Sequence, residues 1–267
     1  MVSKTAAVWM AMGVVAFGTG AASHLREIRA ATGAIPVRFT EGTVHGFLEL
    51  TTQSGALLAH GDLFQLVGPD GVASRMVFDF SDGSVFEEEV TFTERDVFTM
   101  KTYHLVESGP AFANDIDATL SRTGAYVVKS KSRKDDREHD YTGTLSMPGD
   151  VYNGMVPTIA KNVSPRASTS VHFVAFMPEP RTIALELSPS PSTSVHLGTR
   201  QEAVVDFALK PKLGFLVHLA AKLTGKLPPD SHVWIVTDGV PAFVRSEGPL
   251  YSGPVWRIAL TSPAPAK

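Results

Sequence analysis

Turn signals recur along this chain at strand-length intervals, and they constrain the fold more than any other feature. Gly68-Pro69-Asp70-Gly71, Ser81-Asp82-Gly83-Ser84 and Ser108-Gly109-Pro110 each place proline or glycine where a reversal needs a preset or positive φ. Between them lie Leu63 to Val67, Met76 to Phe80 and Val97 to Val106, all of strand length. Phe86, Val90 and Phe92 alternate with Glu87, Glu89 and Thr91, which predicts one buried and one wet face. Val44, Leu48 and Leu50 fall on one parity of a strand. The segment from Gly42 to Val106 is therefore expected to be a β-meander.

The pattern continues. A second hairpin is expected from Ala118 to Leu145, with strands Ala125 to Val128 and Tyr141 to Leu145. Its connection runs from Lys129 to Asp140, basic residues first and acidic residues after, so the two signs face each other across the hairpin. That segment is expected to be a solvated tip; the functional alternative is a docking arm near Lys134 or a metal site using Asp135, Asp136, Glu138 and His139. Val171 to Met177 is apolar on both parities apart from His172 and is expected to be covered on both faces. Ile183 to Leu187, Val205 to Leu209, Val233 to Val236, Ala242 to Arg245 and Val255 to Leu260 complete the strands, and Ser188-Pro189-Ser190-Pro191-Ser192 is a loop or soft boundary. Asp150 is expected to N-cap a helix of one or two turns carrying Val151, Met155 and Ile159, which Pro157 interrupts. The expected fold is mainly β: a curved antiparallel sheet, as a cup, open barrel or sandwich, with one or two short helices.

The N-terminus carries an address. Lys4 precedes an uncharged run from Thr5 to Ser23 whose core is apolar, and Gly18, Gly20, Ala21 and Ala22 supply small residues. Residues 1–22 are expected to be an export signal cut near Ala21 or Ala22. The alternative is an uncleaved N-terminal membrane anchor, which Gly13, Gly18 and Gly20 disfavour. Residues 23–41 then form a lead-in, 42–261 one β-rich domain with a soft boundary near 188–200, and 262–267 a tail. The expected location is periplasmic or extracellular.

Composition narrows the chemistry. The chain has no cysteine, so disulfides and thiolate sites are excluded. A formal net charge of −3 offers no basic excess for nucleic acid. There is no G-x-S-x-G elbow, P-loop, G-x-G-x-x-G or H-E-x-x-H motif, and no cofactor is expected. Tyr103-His104, with Glu107 nearby, is the best local candidate for a reactive site. Glu88 shares the parity of Phe86 and Val90, but exposure at a sheet edge is the expectation for it. His45, His60, His104, His172 and His218 could converge only through the fold. Leu213 to Leu223 predicts an apolar helix of roughly 18 Å, too short to cross a bilayer. Gly225 follows it as a stop.

Several blocks carry a resemblance. They are Phe78 to Ser84, Ser108 to Phe112, Met147 to Gly154, Lys226-Leu227-Pro228-Pro229-Asp230, Pro241 to Arg245, Glu247 to Tyr251 and Trp256-Arg257-Ile258. As a set they resemble a family of uncharacterised exported bacterial proteins, which implies export and no particular activity. In architecture alone, a meander plus an apolar helix is similar to lipoprotein carriers of the LolA and LppX type, which implies a curved sheet holding acyl chains.

These features lead to an exported cell-envelope protein that binds or carries an apolar ligand such as a lipid without catalysis. Phe215, Leu216, Leu219 and Leu223 are the expected cavity lining, with Tyr103 and His104 as further ligand contacts, and a peripheral membrane contact is compatible with the apolar helix. The alternatives are a ligand-free interaction or scaffold protein and an envelope hydrolase using His104 with a carboxylate.

Overall fold

Fifteen strands join into one antiparallel sheet in this computed structural model, which describes residues 33–197, 199–212 and 230–261. Eight come first in the chain: β1 (Val44–Thr52), β2 (Leu57–Gly68), β3 (Gly71–Phe80), β4 (Val85–Glu94), β5 (Phe98–Ser108), β6 (Asn114–Ser121), β7 (Ala125–Ser132) and β8 (Glu138–Thr144). After helix α1 (Val156–Asn162), the one helix among the described residues, come β9 (Thr169–Ala175), β10 (Arg181–Pro189), β11 (Thr193–Leu197), β12 (Arg200–Pro211), β13 (Ser231–Val236), β14 (Ala242–Gly248) and β15 (Trp256–Thr261).

Each of the first seven strands pairs with the next, so the expected meander is present and extends to β8. The turns form as the composition dictates. Gly71 adopts φ +127° and packs so tightly that a Cβ there would lie 2.2 Å from the Phe92 carbonyl oxygen. In the next turn Gly83 has φ +83°, and Asp82 accepts the Ser84 N–H. The charged hairpin also forms as its signs dictate. Lys129 pairs with Asp140 and Lys131 with Glu138 across β7 and β8, and Asp136 takes φ 54° at the tip.

The two halves of the chain meet where β1 pairs with β15, setting Leu48 opposite Leu260 and Leu50 opposite Ile258. The sheet is not closed into a barrel. Its end at β9 is nevertheless covered. His172 exchanges backbone hydrogen bonds with Asp150 and Tyr152. The Asn153 side chain accepts the Val174 N–H and donates to its carbonyl. Tyr251 Oη takes the N–H groups of Phe176 and Met177. These contacts occupy backbone groups that an edge strand otherwise leaves open. β9 is buried on both parities at Val171 and Val174, as its composition predicts.

Asp150 does not cap the helix. Met155 is the N-cap, and Pro157 lies in the first turn, where its missing N–H costs nothing. Pro157 thus starts α1 rather than interrupting it. Asp150 instead holds His172 Nδ1 at 2.9 Å. The segment 150–163 lies against the inner face. Gly154 packs onto Tyr103 and Val90, Tyr152 Oη takes the Ile35 N–H, and Asn162 takes those of Arg38 and Phe39. At another place on the core, Phe80, Phe112 and Trp256 form an aromatic cluster with centroids 5.5–6.0 Å apart. Ser188 and Pro189 remain in the sheet, opposite Ala208 and Phe207.

Candidate functional site

Pairing register places one row of residues across the inner face: Gly46, Leu63, Met76, Glu88, Leu105, Ala118 and Val128. Leu105, Ala118 and Val128 are fully buried. Leu63 and Met76 are only partly covered, although they lie on strands paired on both sides. Leu260 and Leu63 approach Gly46 from its two flanks, and Leu260 is 46% exposed. Val44, on the same face, is also 46% exposed, because its place at the strand end leaves it without a covering layer. This strip of apolar side chains is open while Leu48 and Phe78, on the next row, are sealed.

Glu88 ends the open part of the row. The edge exposure expected for it is overturned: β4 lies between β3 and β5, and the parity of Phe86 and Val90 points inward. Tyr103 Oη donates to Glu88 Oε1 at 2.7 Å. Burial pushes the Glu88 carboxyl up to about 7; the Tyr103 hydrogen bond offsets part of that, and the Glu107 charge adds to it. Burial likewise raises the Tyr103 phenol well above its ordinary value, with Glu88 contributing. Phe176 stacks on Tyr103 with ring centroids 6.0 Å apart.

Glu107 is the second inward carboxylate. Its Oε1 accepts the N–H groups of Tyr251 and Ser252, and its Oε2 accepts Ser252 Oγ–H at 2.6 Å. Burial raises its pKa and these hydrogen bonds offset part of the rise. Glu107 is thus spent on anchoring the 250–252 loop. Burial also pushes the Tyr251 phenol up to about 12.

The expected Tyr103-His104 pair divides. As neighbours on β5 they point to opposite faces, Tyr103 inward and His104 outward, and Glu107 faces away from His104 for the same reason. The acid partner of His104 is Asp117, at 2.9 Å from Nε2. The imidazole lines an open groove of about 600 Å³ on the outer face, beside Glu89, Thr102, Thr119 and Val127. Such a pair can accept a proton. No hydroxyl bonds its other ring nitrogen among the described residues.

Among the described residues the histidines do not converge. His45, His104, His172 and His232 each pair with a separate aspartate: Asp62, Asp117, Asp150 and Asp206. Among the described residues no group of three or more His, Asp or Glu side chains could hold a metal ion. The hairpin residues Asp135, Asp136 and Glu138 take part in ion pairs with Arg137 and Lys131 instead. Phe215, Leu216, Leu219 and Leu223, with Ala21 and Ala22, lie outside the described residues, as does His218. Phe176 and Tyr251 were not legible as site residues, since only long-range packing brings them to Tyr103. The signal for Glu88 was present in its parity. Comparison of the chain with family models, curated proteins and solved structures found no match.

Proposed function

We propose that this is an exported cell-envelope protein, periplasmic or extracellular, that binds or carries an apolar ligand such as a lipid without catalysing a reaction. The observation that carries this reading is the open apolar strip on the inner face: Val44, Leu63, Met76 and Leu260 remain partly or largely exposed beside a fully buried row. Apolar surface that the described residues leave exposed gains free energy when a ligand covers it, at roughly 25 cal/mol for each Å². A curved sheet with an apolar inner face is also what the resemblance to lipoprotein carriers implies. Among the described residues no helix is long and apolar enough to cross a membrane. The test is native mass spectrometry of the protein purified from the envelope without detergent, with organic extraction of bound material. A stoichiometric apolar adduct is expected; a clean ligand-free mass would overturn the proposal.

A second reading, an interaction protein without ligand, is favoured by the outer face of β1 and β2. There His45 stacks on Phe64 at 4.3 Å beside Phe47, with Leu66 62% exposed. A ligand-free mass together with self-association or a captured partner, lost in Phe64→Ser, would favour it.

A further inference from the structure

The proposed apolar strip ends at a carboxylate, and this bears on which apolar molecules it accepts. Glu88 neighbours Met76 directly across β3 and β4, and Met76 neighbours Leu63 across β2 and β3. Such cross-strand partners stand roughly 5 Å apart on one face. Glu88 Oε1 is taken by Tyr103. Oε2 receives no hydrogen bond from any described residue. The nearby charge that acts on Glu88 is a second carboxylate, Glu107, which spends its own oxygens on Tyr251 and Ser252. The Arg181 guanidinium acts on Tyr251. An anionic head at this end of the strip would meet like charge in a poorly solvated place, whereas a donor would find a free acceptor.

We propose that the ligand of the inner face is an apolar chain ending in a hydrogen-bond donor, an amine or a hydroxyl, whose head sits on Glu88 Oε2 while its chain lies along Met76, Leu63 and Leu260. This rests on the reading of the inner face as an apolar-ligand site. It excludes free fatty acids as the preferred cargo.

The test uses three probes with the same ten-carbon chain: decylamine, decanol and decanoate. Each is titrated into the full chain at pH 8 by calorimetry, below its micellar concentration. Decylamine and decanol are expected to bind at least about tenfold more tightly than decanoate, the scale of one charge-assisted hydrogen bond. In Glu88→Gln, which keeps the side-chain shape, the gap between decylamine and decanoate is expected to close. Equal binding of all three probes to the unmodified protein, or tightest binding of decanoate, would overturn the head-group assignment and leave the apolar-ligand reading standing. Absence of binding by all three would remove both. A gap that survives Glu88→Gln would show that another group selects the head, and would also overturn the assignment.

Discussion

Replacing Glu88 by glutamine should make the protein more stable above neutral pH and remove a pH dependence. In the folded chain the Glu88 carboxyl titrates at about 7, against an ordinary value of 4.5. The folded state therefore holds a proton that the unfolded chain has released, and this holds across the window from 4.5 to about 7. Stability is lost as pH rises through that window, because ionising the folded protein costs more than ionising the unfolded one. Each pH unit of difference is worth about 1.4 kcal/mol, so the loss is complete above about pH 7 and amounts to about 3 kcal/mol. Glu88 keeps some surface, so this figure is a ceiling. Glutamine stays neutral and can still accept the Tyr103 hydroxyl. Urea unfolding at steps from pH 4 to pH 8.5 would measure this. The two proteins should nearly match at pH 4, separate between pH 4.5 and about pH 7, and keep a constant gap above it, with Glu88→Gln more stable at pH 8.5 by up to about 3 kcal/mol. Glu107 is raised in the same direction but is present in both proteins, so it cancels in the difference. Parallel curves across the whole range would refute the reasoning.

Two further substitutions probe how the sheet is held. Asn153→Ala strips both the donor and the acceptor from Val174, leaving two buried backbone groups unpaired, and should cost roughly 2–5 kcal/mol in urea unfolding; hydrogen exchange at Val174 should accelerate along with it, and an unchanged midpoint would dismiss Asn153 as the cover of the β9 edge. Gly71→Ala should destabilise the chain far more than Gly55→Ala, as read from their thermal midpoints: both positions have positive φ, but a Cβ at Gly71 meets the Phe92 carbonyl at 2.2 Å while Gly55 faces open space. Equal losses would mean that backbone conformation alone, and not the contact with β4, sets the cost.

Local chemistry made the strands legible. The alternation of Phe86, Val90 and Phe92, the glycine and proline turns and the sign pattern of Lys129 to Asp140 all describe residues close in sequence, and the sheet carries them as expected. What stayed hidden depends on distant partners. The pairing of β1 with β15 joins residues more than 200 positions apart, and no periodicity announces it. The site shows the same division. Tyr103 and His104 were legible as residues able to bind or react, yet strand geometry sends them to opposite faces, and only the neighbours of β4 and β5 decide which face is enclosed. Glu88 had the parity of a core residue; its partial burial followed once β4 was flanked by β3 and β5 and faced by the 150–163 segment. Sequence by itself determined where the chain extends and where it turns, because φ preferences and alternation act over a few residues. Tertiary structure alone decided which apolar residues are covered and which carboxylate is enclosed, because solvent exclusion is set by whatever part of the chain packs on top.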